Sequence, residues 1–370
     1  MPHSLFDPFT LRAVTFPNRI WLAPMCQYSC LERDGKPTDW HLVHLGARAT
    51  GGFGLVLTEA AAVSPEGRIS VHDAGIWNDD QADAWARIAA FVAAQGAVPG
   101  IQLAHAGRKA STFSFRQHGH GTVPASGGGW TTVAPSAIPF DGFGLPTELD
   151  RAGLDKVVAD FAAAAARSDR AGFEVAEIHA AHGYLLHEFL SPVSNRRTDA
   201  YGGSLRNRAR LLLDVVAAVR EVWPDGKPLF VRFSGTDWTE HGWTVEETAE
   251  VAGWLGDLGV DLFDISSGGN VASAPNPVAP GYQVPLAAHV RQATGLPTGA
   301  VGLITEPGQA ADIDAAGQAD AELLGRAALR EPAWPQRAAA ELGLPTAESP
   351  YPEQYVRGAW PDQEVRLRSA

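Results

Sequence analysis

The sequence predicts a single (β/α)8 barrel spanning residues 1–370, and three observations carry that reading. Eight short apolar runs recur along the chain. Ala/Leu-rich stretches of helical spacing lie between them, and small, polar and ionisable residues gather where the runs end. Continuous apolar strands alternating with helices call for parallel strands covered by helices. Eight such units over roughly 300 residues suit a closed barrel better than an open doubly wound sheet.

In chain order the strand-like runs are 19–25 (RIWLAPM), 53–60 (FGLVLTEA), 98–105 (VPGIQLAH) and 175–182 (VAEIHAAH). The second half supplies 229–234 (LFVRFS), 262–267 (LFDISS), 297–302 (PTGAVG) and 321–326 (AELLGR). The helical stretches 79–96, 154–172 and 244–259 each close on glycine, the residue that tolerates a left-handed position after a helix. Residues 107–150 follow the third strand with several prolines and the run GHGTVPASGGGW, which reads as a long lid or rim insert. Beyond Leu344 the chain is Pro-rich with aromatics and is expected to run extended. No repeat of 20–50 residues stands out beyond the βα rhythm itself.

Composition narrows the function classes. A net charge of −13 argues against nucleic acid or an anionic membrane as partner, since both need a basic face. The first residues lack a basic segment followed by an apolar one, and no run of ~18 apolar residues occurs, so a cytoplasmic protein is expected. Two cysteines in 370 residues make no disulfide framework and rule out a four-cysteine iron–sulfur cluster. Their spacing, Cys26 to Cys30, is not the Cys-x-x-Cys of a redox or zinc pair.

Barrel sites form at the C-terminal strand ends. There, His179 and His182 with Tyr184 suit polarising a carbonyl and delivering a proton. A hydrogen-bonded structural pair fits the same two histidines, and zinc would need Glu59 or His105 as further ligands. Glycines at 268–269, 299, 302 and 325, ending on Arg326, favour a phosphate-bearing ligand across strands six to eight. Gln102 and Arg232 are polar groups at interior strand ends, able to hold the edge of a heteroaromatic ring or to satisfy each other or a nearby carboxylate. Lys109 follows strand three, where most charges are solvated rim residues.

The segments PMCQYS, IQLAHAGRKA, EIHAAHGYLLHEFLSPVSNRRTDAYGGSLRNR, FVRFS, GAVGLI and LLGR resemble the Old Yellow Enzyme family of FMN-dependent ene-reductases, over about residues 5–360. Cys26 with Tyr28 and the paired histidines resemble its bacterial, thermophilic-like class. The resemblance implies tightly bound, non-covalent FMN, its phosphate at Ser267, Gly268, Gly302, Gly325 and Arg326. Its ring would lie against Pro24, Met25, Ala60, Gln102, His179 and Arg232, with Cys26 near N5. NADPH, or NADH, would be the reductant, and enones and enals the substrates. His179 and His182 would hold the substrate oxygen, Tyr184 would protonate the α-carbon, and Tyr28 and Lys109 would line the substrate pocket. A homodimer or homotetramer is implied, with Arg357 of the tail reaching a neighbouring subunit's site; here Ala359 stands as an extra residue before Trp360. No metal is implied. Two other readings compete: a zinc-dependent barrel hydrolase and a flavin-binding sensor.

Overall fold

The computed structural model describes residues 4–360. Its centre is a closed barrel of eight parallel strands: β1 (Ile20–Leu22), β2 (Leu55–Ala62), β3 (Val98–Ala104), β4 (Val175–Ala180), β5 (Leu229–Ser234), β6 (Leu262–Ser266), β7 (Thr298–Ala300) and β8 (Ala321–Leu324). Each strand pairs with the next in sequence, and Leu324 pairing with Leu22 closes the ring. The (β/α)8 architecture is therefore the observed one.

Outside the ring lie α1 (Asp39–Thr50), α2 (Asp79–Ala94), α3 (Arg151–Arg170), α4 (Leu205–Val222), α5 (Val245–Gly256), α6 (Val284–Thr294) and α7 (Pro307–Ala315). A short helix, Arg326–Arg330, leads into α8 (Trp334–Glu341). The side-chain oxygens of Thr38, Asn78, Asp150, Ser204 and Thr244 cap the N-termini of α1 to α5, satisfying N–H groups that have no partner inside the helix. Gly96, Gly172 and Gly259, just past α2, α3 and α5, all have positive φ, as their place in the sequence requires.

Strand periodicity of two sorts the side chains. Ile101, Ile178, Val231 and Ile265 face outward into the helix layer, where Phe161, Trp85 and Leu212 also pack. Inward-facing positions stack in layers along the axis. The lowest layer is apolar: Trp21, Leu55, Val175, Phe230, Leu262 and Leu323. A hairpin of two short strands, Phe9–Leu11 and Val14–Phe16, closes the bottom, with the Phe16 ring 4.7 Å from Trp21 and Trp21 stacked on Phe230 at 5.7 Å. Higher on the same strands the inward residues turn polar: Gln102, Glu177, Arg232 and Asp264, all buried. The alternation therefore places chemistry at one end of the barrel and a plug at the other.

Two sequence expectations need correction. The first run extends to residue 25 by composition, but β1 stops at Leu22, because Pro24 has no N–H to continue a ladder. Cys26 thus lies in the loop after the strand, not at its end. The tail was expected to be extended; its described part instead folds into 3₁₀ turns at Thr346–Glu348 and Glu353–Gly358. Prolines 345 and 352 precede these turns, and Pro supplies a φ compatible with starting one. Among the described residues no helix is long and apolar enough to cross a membrane.

Candidate active site

The turn after β4 carries the densest chemistry, and side chains from other elements hold part of its backbone. The His182 N–H donates to Ser234 Oγ (2.8 Å), and the His182 carbonyl accepts from Lys109 Nζ (2.8 Å), which also donates to the Gly269 carbonyl (2.9 Å). The Gly183 N–H donates to His187 Nδ1 (2.9 Å). His187 Nε2 lies 3.1 Å from Asp237 Oδ1, with both side chains fully buried. Gly183 has φ +70, and a Cβ there would sit 2.4 Å from the Gly269 carbonyl oxygen, so only glycine fits. His182 itself has φ +60, a conformation held by its surroundings, of a kind that gathers at functional sites.

Lys109 is therefore not a solvated rim residue. The side chain is half-buried and its ammonium ties two loops together, 4.6 Å above the Phe140 ring and 5.2 Å above that of Tyr184. Burial pulls its pKa down to about 8, although Glu188 opposes the shift.

His179 and His182 meet edge to face, with ring centroids 5.1 Å apart. The Ala181 N–H donates to His179 Nδ1 (3.2 Å), which leaves the proton of a neutral His179 on Nε2. That nitrogen is 3.3 Å from His182 Nδ1, and His182 Nε2 is 2.8 Å from Ser266 Oγ. The pair is thus hydrogen-bonded within itself, with His179 Nε2–H as the donor. Burial first, and then the positive charge of Arg232, hold both imidazoles well below their usual pKa. At neutral pH they are uncharged N–H donors. The Tyr184 ring stands 5.1 Å from that of His179. Burial, with the nearby Cys26 next, drives its phenol well above the usual range, so it keeps its proton.

Across the mouth, the loop after β1 presents Pro24, Met25, Cys26 and Tyr28. It is anchored where the Gln27 N–H donates to Glu59 Oε2 (3.0 Å), while Glu59 Oε1 lies 2.9 Å from His41 Nε2. Tyr28 has φ +50. Burial, then Asp73 and Glu59, push the Cys26 thiol well up, so it stands as a neutral S–H and not as a thiolate nucleophile. Cys30 is fully buried among apolar neighbours. Ala60 is buried on β2, and below the histidines Gln102 Nε2 donates to Glu177 Oε1 (2.7 Å). Arg232 Nε lies 2.9 Å from Asp264 Oδ2, so the partner that no neighbour in sequence supplied comes from the adjacent strand.

A cavity of about 340 Å³ opens at the ends of β6 to β8, lined by His182, Ser267, Gly302, Gly325 and Arg326. It adds Gln283, Thr305 and Arg330, which sequence reading missed. Gly325 faces Met25, whose Sδ would be 3.7 Å from a Cβ at that position, so the β1 loop borders the same space. Gly268 lies beside the cavity with φ +68. Among the described residues neither Arg326 nor Arg330 is engaged in an ion pair, and hydroxyl, amide and glycine backbone groups surround them. That donor set suits a phosphate monoester. The polar layer below and the apolar loop above suit a flat heteroaromatic ring, so the residues present fit FMN.

Arg357 is not brought to this site within the chain. It is exposed in the tail, and the tail begins where Pro350 packs against Gly52, just before β2 starts. His187, Glu188, Ser191 and Asp237 were also not singled out from the sequence, although the first three lie inside the long motif 177–208; Asp237 follows the strand Leu229–Ser234. The Ser191 hydroxyl donates to Asp237 Oδ2 at 2.5 Å, and the Trp243 N–H donates to the same oxygen at 3.0 Å. Burial pushes the Asp237 carboxyl up, but His187 and Ser191 outweigh it and hold it at about 2. Ser191→Ala removes a donor to a buried charge and is expected to cost ~1.5–3 kcal/mol of stability, read as a lowered urea midpoint. An unchanged midpoint would show that the hydroxyl contributes nothing to this anchor.

Residues 4–345 match the family model described as NADH:flavin oxidoreductase / NADH oxidase family. A protein named NADPH dehydrogenase from Geobacillus thermodenitrificans is 48% identical over 355 residues, covering 96% of this chain and 98% of its own. Another of that name, from Listeria monocytogenes serotype 4a, is 48% identical over 358 residues, covering 96% of this chain and 99% of its own. Among solved structures, morphinone reductase in complex with tetrahydroNAD superposes with a TM-score of 0.76 at 28% identity, covering 98% of this chain and 96% of that one. The old yellow enzyme homologue from Zymomonas mobilis gives 0.74 at 28% identity, covering 90% and 92%. The chain belongs to the NADH:flavin oxidoreductase / NADH oxidase family and is an FMN-dependent NAD(P)H oxidoreductase of the Old Yellow Enzyme type.

Proposed function

We propose that this enzyme is an ene-reductase that saturates the activated C=C bond of α,β-unsaturated carbonyl compounds. The observation that carries the reading is the convergence of two neutral histidines and one protonated tyrosine on a single turn, beside a cavity suited to a phosphorylated cofactor. When bound, FMN supplies the hydride chemistry, being reduced by NADPH and reducing the β-carbon of the substrate.

The chain's own residues do the rest. Ser267, Gly268, Gly302, Gly325 and Arg326 hold the phosphate, and Pro24, Met25, Ala60, Gln102 and Arg232 hold the ring. His179 and His182 donate to the substrate oxygen and favour the charge that develops there. His179 Nε2–H is engaged with His182 Nδ1, and the proton of His182, on Nε2, faces Ser266 Oγ, so both must be redirected when a substrate oxygen binds. Tyr184 gives its proton to the α-carbon, which only a phenol that stays protonated can do. Tyr28 and Lys109 line the substrate pocket. Arg357, exposed here, is assigned to a neighbouring subunit's site in a homodimer or homotetramer.

Isotope placement tests the reading. Reduction of cyclohexenone with NADPH deuterated at the transferred position should put deuterium at the β-carbon, and reduction in D₂O should put it at the α-carbon. Absence of saturated ketone would exclude the proposed activity. The role of Cys26 is tested separately: Cys26→Ala is expected to shift the midpoint potential of bound FMN, and an unmoved potential would remove the thiol from contact with the ring.

A further inference from the structure

The polar layer inside the barrel is not a finished salt bridge. Gln102, Glu177, Arg232 and Asp264 come from β3 to β6, all face inward, and all are buried. One guanidinium serves two carboxylates. Glu177 Oε1 accepts from Gln102, but Glu177 Oε2, Asp264 Oδ1 and Asp264 Oδ2 accept no hydrogen bond. Two of the four carboxylate oxygens thus have no partner, and Asp264 Oδ2 has only its ion-pair contact with Arg232, where buried carboxylates are ordinarily satisfied. Arg232 Nε is 2.9 Å from Asp264 but out of hydrogen-bond alignment. The terminal nitrogens of Arg232 make no hydrogen bond among the described residues, and unlike Nε they are not fully buried. A layer serving only stability would do as well, or better, with apolar side chains of similar volume.

We propose that Asp264 is a positioning and charge-setting residue for the cofactor: it fixes Arg232 from the barrel side and limits how much of the guanidinium's positive charge reaches the ring above, while Glu177 stands neutral as the partner of Gln102. The division of labour follows from contact. Two uncompensated negative charges in one dry layer repel strongly, so one carboxyl keeps its proton. Asp264 has the cation in ion-pair contact, whereas Glu177 has an amide as its hydrogen-bond partner and feels the Arg232 charge only from further away. Burial and then Asp264 raise Glu177 to about 8, while Asp264, raised by burial and opposed by Arg232, reaches about 6. The inference rests on the reading that Arg232 faces the flavin.

The test is the midpoint potential of FMN bound to the intact enzyme. Asp264→Asn unmasks Arg232 and should favour the reduced cofactor by about tenfold, a positive shift of ~30 mV for a two-electron couple. Glu177→Gln, replacing a neutral group by a neutral group, should leave that ratio within about twofold. An unmoved Asp264→Asn potential, or a Glu177→Gln shift as large as the one expected for Asp264, overturns the proposal. If Asp264→Asn alone does not retain FMN, Arg232→Gln is compared with the double variant Arg232→Gln/Asp264→Asn. With no guanidinium left to mask, the added change should leave the oxidised-to-reduced ratio within about twofold of that in Arg232→Gln, and a rise as large as the one expected for Asp264→Asn alone overturns the proposal. Arg232→Gln also separates the two failures. If its potential equals that of the wild type, Arg232 does not face the flavin. If it falls while Asp264→Asn stays put, only the role of Asp264 is lost.

Discussion

Tyr184→Phe is expected to leave NADPH reduction of bound FMN within about twofold of wild type and to slow reoxidation by cyclohexenone by ~10²–10⁴. The asymmetry follows from what the residue touches. Its ring packs edge-on against His179 and beneath the Lys109 ammonium, and a phenylalanine ring preserves both contacts. Only the hydroxyl goes, and with it a proton that burial holds on the oxygen far above neutral pH. Rapid-mixing absorbance of the flavin reads the two half-reactions separately. Equal slowing of both would point to a displaced cofactor, and no slowing of either would take Tyr184 out of proton transfer.

His179→Ala should lower kcat/KM for cyclohexenone by ~10²–10³, the scale of losing one donor to a developing oxyanion. The argument rests on the tautomer. The Ala181 N–H points at Nδ1, so the proton must sit on Nε2 and face the site. Burial and Arg232 keep the ring neutral, so its donor strength should not change across the neutral pH range. His179→Gln, which places an amide N–H at a similar reach, should recover part of the loss. Wild-type kcat/KM in His179→Ala would mean that the oxygen is held elsewhere. A loss confined to NADPH reduction would assign His179 to nicotinamide binding instead.

Most of the barrel was legible in the sequence because each strand buries both faces and so reads as an unbroken apolar run. The helix ends at Gly96, Gly172 and Gly259 were legible for a local reason, the positive φ that glycine tolerates. The hairpin Phe9–Phe16 was not, since its strands are three residues long and pair only with each other. At the site, residue types at strand ends brought out His179, His182, Tyr184 and the glycine–arginine cavity. For Lys109 the sequence left a solvated rim charge standing beside a pocket role, because it does not show the two carbonyls that hold the ammonium. Glu177 and Asp264 went unnoticed inside VAEIHA and LFDIS. The signal was present: Glu177 is two residues before His179 and so shares its inward face. His187 was hidden for another reason: Gly183 is only four residues away, but Asp237, on its other ring nitrogen, is brought to it by the fold.

The proposed activity rests on one flavin accepting electrons from NADPH and giving them to an enone at the same mouth. Sequential anaerobic mixing of the FMN-loaded enzyme measures this most directly, first with one equivalent of NADPH and then with excess cyclohexenone. The expected result is bleaching of the flavin absorbance in the first mix and its full return in the second, with one cyclohexanone formed per flavin. Bleaching that persists in the presence of cyclohexenone, and reverses only when oxygen is admitted, would contradict it.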